Sequence, residues 1–324
     1  MARPSKVGIL VLACLLSSAS LLGQLKFEDG VRLYEAEQYE AARPYFKSYL
    51  ASHPGHLQSI EYLGDIAGYG ADWDTAIDYF EQLVEADDQN ANYHFKLGGS
   101  LGMKALEISK FRALSYVGDI KKHFEAAARL DPQHIETRWA LVEYYIQLPG
   151  IIGGSQRKAR KYADELLDIS PVDGHLAHGY IAEYDDRFED AEDHYKKAIS
   201  VGGSVHTYDK LTNLYLNNDK PEEALDTTKE CLDVHDRNSL HYQVGKIVAQ
   251  YDLDAELGIN CLKKYIEGHS VRDGVPLDWA YFRMAQIFRN QGDKANAKIW
   301  INKALESRPD FEEALEEKAL IDAL

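Results

Sequence analysis

Residues 57–90 read LQSIEYLGDIAGYGADWDTAIDYFEQLVEADDQN, and the spacing of this 34-residue stretch recurs along the chain. The same step separates Gly30 from Gly64 and Gly64 from Gly98, and it also separates Phe46 from Phe80. The chain is rich in Ala, Leu, Tyr and Glu and contains few prolines, a composition that favours helices. A period of this length predicts a stack of paired helices.

The residue types at the recurring positions fit helices that pack closely. A small residue late in each first helix lets the second helix approach, as expected at Gly30, Gly64, Gly98, Gly179 and Gly245. A small residue early in each second helix does the same from the other side, as expected at Ala42, Ala76, Ala159, Ala191, Ala224 and Ala297. An aromatic residue four positions later fills the gap towards the next pair, as at Phe46, Phe80 and Tyr195.

With these residues the chain resembles the tetratricopeptide repeat (TPR) family. The resemblance implies an all-α fold, an α-solenoid of about eight TPR helix pairs, over residues 24–310. Residues 311–324 form a further amphipathic pattern, which predicts a C-terminal capping helix. The eight predicted units begin near residues 23, 57, 91, 135, 172, 205, 238 and 278.

The third and fourth units depart from the period. In unit three, extra residues between Leu101 and Gly118 predict either a longer first helix or a short helix inserted before the second. This insertion supports its neighbours or forms a ridge over the groove. In unit four, residues 149–155 (PGIIGGS) predict a turn with Ser155 as N-cap of the following helix. An alternative is an anion or ligand loop formed by Gly153, Gly154 and Ser155. The PGIxGG motif resembles that of exported bacterial TPR proteins with no assigned chemistry.

Residues 1–23 predict a signal peptide. Arg3 and Lys6 precede the apolar run 7–16, and small residues follow it. We therefore expect an exported protein, periplasmic or secreted. Two alternatives remain, a lipid on Cys14 that would tether the protein to a membrane and an uncleaved anchor. Contact with a membrane is expected only in these two cases.

The formal net charge of −17 disfavours nucleic acid and anionic membranes as partners. It favours neutral or basic partners, although a solvated acidic face without a binding role also explains it. Cys231 and Cys261 are the cysteines outside the leader, and both fall at apolar positions of helical patterns. We expect small buried hydrophobic residues there, with an oxidised pair as the alternative.

No motif predicts catalysis, a cofactor or a metal site. His175 and His178 lie three residues apart, a spacing that can share a metal, but no further ligand is obviously positioned with them. The sequence lacks the His-Glu-x-x-His motif of zinc metalloproteases. We expect a protein that is not an enzyme.

In TPR proteins a concave groove lined by the first helices binds partners, and the resemblance assigns groove positions to this chain. The predicted function is a non-catalytic scaffold for protein–protein interaction with a peptide in the groove. The alternative is a periplasmic component that binds a small molecule near unit three and the Gly-rich loop. The predicted groove residues are Glu61, Asp65, Phe95, Trp139, Glu143, Tyr180, Glu183, Asp209, Asn213, Tyr242, Lys246, Trp279, Phe282, Arg283 and Gln286.

Overall fold

The computed structural model describes residues 27–324, which form helices and connecting turns without a strand. The predicted leader, including Cys14, lies outside the described residues. The chain divides into two compact parts, one ending at Ile169 and the other beginning at Ser170. They are called the first unit and the second unit, whereas unit three and unit four keep their meaning as repeat units. Each of the two parts is a succession of antiparallel helix pairs.

The first unit begins with helix α1, described over residues 27–35. It continues with α2 (Tyr39–Ser52), α3 (Leu57–Tyr69), α4 (Trp73–Ala86), α5 (Ala91–Glu107), α6 (Lys110–Ala113), α7 (Val117–Leu130), α8 (Ile135–Gln147) and α9 (Gln156–Ile169). The pairs are α1–α2, α3–α4, α5–α7 and α8–α9. Consecutive pairs pack on one another, α4 against α5 and α7 against α8.

The second unit contains α10 (Pro171–Tyr184), α11 (Phe188–Gly202), α12 (Val205–Asn217), α13 (Pro221–His235), α14 (Asn238–Tyr251), α15 (Ala255–Gly268), α16 (Leu277–Asn290), α17 (Lys294–Ser307) and α18 (Glu312–Ala323). The first eight of these form four pairs, and α18 packs against α17 and α16. The two units together confirm the predicted all-α solenoid of about eight helix pairs with a further helix at its C-terminal end.

The small residues lie where the helices of a pair approach most closely. A Cβ atom on Gly98 would lie 2.8 Å from the Phe124 ring, and one on Gly179 would lie 2.4 Å from the Tyr195 ring. Both distances are below van der Waals contact, so glycine is what allows these aromatic rings to pack on the first helix. The alanines of the second helices are fully buried, namely Ala42, Ala76, Ala159, Ala191, Ala224 and Ala297.

Six pairs share the same tight turn between their two helices. The turn contains one residue in the left-handed region, with φ between 53° and 74°, namely Glu37, Ala71, Asp186, Asp219, Asp252 and Gly292. A left-handed conformation costs a residue that has a Cβ about 1 kcal/mol. Five of the six turns therefore place a residue with a Cβ atom in this conformation despite its energetic cost, and only the last has glycine there.

Unit three combines both predicted alternatives. Helix α5 is 17 residues long, and the four-residue helix α6 is inserted before α7. In unit four the predicted turn contains a short 3-10 helix, Gly150–Ile152, followed by Gly153 with φ 115°. The Ser155 side chain accepts a hydrogen bond from the Lys158 N–H at 3.4 Å, as expected for an N-cap.

Candidate functional site

In the first unit, two predicted groove acids on α3 bind a lysine that the sequence analysis missed. Lys96 Nζ on α5 lies 2.7 Å from Glu61 Oε1 and 2.7 Å from Asp65 Oδ2. Asn92 donates a hydrogen bond to Glu61 at 2.9 Å, and Tyr34 donates one to Asp65 at 3.3 Å. These acids are therefore engaged within the chain, and the network joins first helices of successive pairs.

Burial is the largest single influence on the pKa values of Asp65 and Lys96. Burial raises the pKa of Asp65, and the adjacent Lys96 only partly opposes it. Burial lowers the pKa of Lys96, but the charges and hydrogen bonds of Asp65 and Glu61 outweigh this effect and leave the pKa raised. Each group needs its partners in order to stay charged, which is typical of an ion pair that fixes helix packing rather than one that waits for a ligand.

The other predicted groove residues of the first unit lie on α5 and α8. The Phe95 ring lies 5.0 Å from the His134 ring and 6.1 Å from the Phe124 ring, so it packs between neighbouring helices. Trp139 is half-buried and Glu143 is exposed on α8. Of this group, Glu143 offers its side chain most openly to solvent.

The Gly-rich loop uses its own backbone donors. The N–H of Gly153 donates to Gly150 O, that of Gly154 to Pro149 O at 3.2 Å, and that of Ser155 to Tyr145 O at 2.8 Å. A Cβ on Gly154 would lie 1.7 Å from Leu148 O, so the loop can close in this way only with glycine there. Because all three N–H groups already have acceptors, the geometry favours a structural turn over an anion site.

In the second unit, two predicted groove residues are core residues instead. Tyr242 is 5% exposed and Phe282 is 4% exposed. Tyr242 packs against Tyr265, and Phe282 packs against Phe311. Both lie on first helices, but their rings pack on Tyr265 of α15 and on Phe311, the residue before α18. They cannot contact a partner in this conformation.

The remaining predicted residues of α10 and α12 divide into engaged and exposed groups. Glu183 accepts a hydrogen bond from the Tyr195 hydroxyl at 2.8 Å. Tyr180 is half-buried, whereas Asp209 and Asn213 are exposed on α12. Asp209 and Asn213 are thus the predicted residues of these two helices that are most accessible to a partner.

Lys246 on α14 and Arg283 on α16 form a cationic site on two first helices that pack together. Neither cation forms an ion pair with any acid in residues 27–324; the neighbouring Asp278 is bound to Arg308 at 3.0 Å. Burial lowers the pKa of Lys246, and the charge of Arg283 lowers it further. Two unbalanced cations side by side are unusual in a chain of net charge −17.

Arg283 is held in place by its neighbours. Its guanidinium group lies 4.9 Å from the centroid of the Phe282 ring and 5.7 Å from that of Trp279. One terminal nitrogen donates to Gln286 Oε1 at 2.7 Å, while the buried Nε has no hydrogen-bond partner. The aromatic rings and Gln286 thus fix the cation beside Lys246 without neutralising it. Trp279 is itself packed against Phe311 at 4.6 Å between ring centroids.

Three histidines of α10 and α11 lie against one another. His175 and His194 lie 3.3 Å apart between their Nδ1 atoms, and the His178 ring stacks on His194 at 5.0 Å. Burial is the main cause that lowers the pKa of His194 to about 4. Within residues 27–324, no group of three or more His, Cys, Asp or Glu side chains is arranged to hold a metal ion.

The two cysteines are buried free thiols in separate helices. Burial raises the pKa of Cys231 to about 11 and also raises that of Cys261. They are packed as small apolar side chains, as predicted. Among the described helices, none is both long and apolar enough to cross a membrane.

Comparisons with known proteins agree with the architecture. Tetratricopeptide repeat models match residues 27–91 and residues 280–311. A crystal structure of a tetratricopeptide repeat protein from Parabacteroides merdae superposes with a TM-score of 0.51 at 14% identity, over 92% of this chain and 98% of that one. A TPR protein from Thermus thermophilus gives a TM-score of 0.41 at 16% identity, over 70% and 98% of the two chains.

The human protein O-mannosyl-transferase TMTC3 is 22% identical over 296 residues. The match covers 87% of this chain but 31% of the human protein, so the chain spans about a third of that relative's length. The helix pairs and the two family matches define an α-helical repeat protein. The chain is a tetratricopeptide repeat protein.

Proposed function

We propose that this chain is a non-catalytic, exported scaffold that binds a protein or peptide on its first helices, with Lys246 and Arg283 at the centre of the site. The TPR fold suits an interaction scaffold, because stacked pairs present an extended surface. The observation that supports this site is the pair of unbalanced cations on α14 and α16. A bound anionic group would neutralise the repulsion that the free protein retains.

The chemistry of the partner follows from the accessible side chains. The overall negative charge favours a partner that is neutral or basic as a whole. Lys246 and Arg283 require one acidic group on it, for which a carboxylate that accepts from the guanidinium is suited. Trp279 beside Arg283 adds an aromatic surface at the same place. We therefore infer an extended segment with one acid and with apolar or basic neighbours.

A cross-linking experiment in the native cell tests this site. A photoreactive amino acid at Gln243, one turn before Lys246 on α14, would be compared with one at Lys229, an exposed residue on α13 of the same unit. We expect a discrete cross-linked protein from position 243 alone, and its loss in the Lys246→Ala, Arg283→Ala double variant. Cross-linking that survives the double variant would contradict the assignment.

The groove of the first unit needs its own test, because its acids bind Lys96. Replacement of Trp139 and Glu143 by alanine removes its aromatic and exposed acidic residues. If the partner contacts this unit, the double variant weakens binding. If the double variant binds the partner as well as the wild type does, while Lys246→Ala abolishes binding, the interaction is confined to the second unit.

A small-molecule binding component is the second candidate. A depression of about 420 Å³ lies beside the stacked rings of Tyr39 and Tyr69, away from the Gly-rich loop that the sequence analysis singled out. A screen of metabolites by thermal shift tests this candidate, and the absence of any shift would remove it.

The non-catalytic part of the proposal is supported by the buried, high-pKa thiols and the internally paired histidines. The human relative's name denotes a transferase, so an assay for mannosyl transfer is the direct test, and turnover by the purified chain would refute this part. Export is supported by the pattern of residues 1–23. Mass spectrometry of the mature protein from the periplasm or medium should show a new N-terminus near Gln24.

A further inference from the structure

A segment within unit three exposes apolar side chains to an unusual degree. Leu106 is 77% exposed and Phe111 is 87% exposed, while Met103 and Leu114 are 43% and 46% exposed. Phe111 is the one phenylalanine of residues 27–324 with so large an exposed fraction. Four such side chains within twelve residues form a local apolar surface, and surfaces of this kind mark interaction sites. We name residues 103–122 the basic–apolar segment.

The fold does not account for this exposure. Helix α6 has four residues and buries none of them. The neighbouring Ile120 and Phe124 on α7 are buried and already fill the space between α5 and α7. The segment is therefore not an extension of the core, and its apolar side chains project from it.

The charge of the segment is opposite to that of the chain. It contains five cations and two acids, in a chain whose net charge is −17. Lys104 is paired with Asp74 at 2.7 Å, and Glu107 accepts a hydrogen bond from Trp73 at 2.5 Å. The other four cations, Lys110, Arg112, Lys121 and Lys122, form no ion pair within residues 27–324. Two of them flank Phe111 directly.

We propose that the basic–apolar segment docks on an anionic phospholipid surface, with Phe111 and Leu106 inserted at the level of the headgroups. Exposed aromatic and aliphatic side chains interleaved with Lys and Arg are the combination that binds such interfaces. A projecting apolar surface suits a bilayer interface, which needs no matching cavity. The four free cations give the charge complementarity that selects anionic lipid.

The acidic remainder of the chain does not prevent this contact. Screening at physiological ionic strength reduces interactions between exposed charges beyond about 8 Å. The acids elsewhere on the surface therefore weaken the approach less than the adjacent cations favour it. The net charge alone disfavours an anionic membrane, but this segment is a local exception. Binding should be reversible and should weaken at high salt.

Sedimentation of the full-length chain with vesicles tests the proposal. The probe is phosphatidylcholine vesicles with and without phosphatidylglycerol. We expect binding to the anionic vesicles, and a loss of about tenfold in affinity in two variants, Leu106→Ser with Phe111→Ser and Lys110→Glu with Arg112→Glu. Ile151→Ser is the matched control, because Ile151 is 95% exposed in the same compact unit. All variants share residues 1–26, so any contribution of that stretch cancels.

A fluorescent reporter distinguishes docking from unrelated adsorption. In Phe111→Trp, the introduced indole should shift its emission to shorter wavelength on anionic vesicles, and lipids brominated on their acyl chains should quench it. Ile151→Trp should show neither effect. Equal sedimentation of all variants, or no quenching in Phe111→Trp, would overturn the proposal. So would concentration-dependent self-association that Phe111→Ser abolishes without lipid binding, since the occupant would then be a second copy.

Discussion

The Nδ1 atoms of His94 and His123 lie 2.8 Å apart in the buried interface between α5 and α7. The Nε2 atom of His94 lies 3.1 Å from Asp88 O, a carbonyl that can only accept. His94 Nε2 therefore carries a proton in this arrangement. The hydrogen bond between the two Nδ1 atoms holds a single proton, because a second proton there would have no acceptor.

This pair predicts a loss of stability in mild acid. Burial, then the His94 and Lys122 charges, lower the pKa of His123 from 6.5 to about 4, with Asp119 opposing. The unfolded chain therefore binds a proton that the folded chain excludes, and stability falls as the pH drops from about 6.5 to 4. We expect a loss on the order of 1–2 kcal/mol by pH 5. Urea unfolding of the wild type and His123→Gln at pH 7.5 and 5 measures it. Parallel pH dependence in the two proteins would show that His123 does not contribute.

Two adjacent glycines predict opposite effects of the same substitution. In Gly98→Ala the new Cβ would lie 2.8 Å from the Phe124 ring, whereas in Gly99→Ala it meets nothing within 4 Å. Gly98→Ala should destabilise by about 1–3 kcal/mol because a packed ring must move. Gly99→Ala should stabilise by about 0.5–1 kcal/mol because alanine is the better helix former. Thermal unfolding of both variants measures the two changes in stability. Changes of the same sign would contradict the packing of α5 against α7 described above.

The Lys96 network predicts a large effect of one charge deletion. Lys96→Met leaves Glu61 and Asp65 without their cation, and both carboxylates are less than a quarter exposed. We expect a loss of about 2–3 kcal/mol, partly restored by adding Asp65→Asn. Lys104→Met is the control: it removes a pair whose Asp74 is 73% exposed, and it should cost about 0–1 kcal/mol. Chemical denaturation of the wild type and the three variants measures these losses. Equal losses in the two lysine variants would argue against the network.

The cationic site predicts a gain in stability together with a loss of binding. Since burial and Arg283 lower the pKa of Lys246, its charge opposes folding at neutral pH, and Lys246→Met should raise the free energy of unfolding by up to about 1 kcal/mol. The same variant should fail to cross-link to a partner. Lys229→Met, which removes an exposed pair with Asp226, serves as the control. A destabilised Lys246→Met would mean that the lysine has a structural role instead.

The sequence was sufficient for the fold because the decisive contacts are local. Gly98 and Phe124 belong to one helix pair, and Gly179 and Tyr195 belong to another, so spacing along the chain reports their packing directly. Extra residues likewise marked unit three, although their division between a longer α5 and the inserted α6 was not predictable.

The site was less predictable because it depends on side-chain packing and on contacts between pairs. Tyr242 and Phe282 occupy groove positions of the repeat, yet both rings are buried against aromatic residues of neighbouring elements. Lys96 was missed because its ion pairs join α5 to α3, and pairing across helices depends on rotamers that spacing does not encode. Its position 31 residues after Asp65, close to one repeat, was the available signal.

The tight turns inside the helix pairs are positions at which substitutions can still increase the stability of this protein. Five of the six left-handed positions hold a residue with a Cβ, so glycine at Ala71 or Asp186 would relieve strain without replacing Lys246 or Phe111. In a repeat array such gains accumulate pair by pair. Substitutions that cost stability on a binding surface can therefore be offset by glycine in one of these turns. The surface can then change while the fold persists.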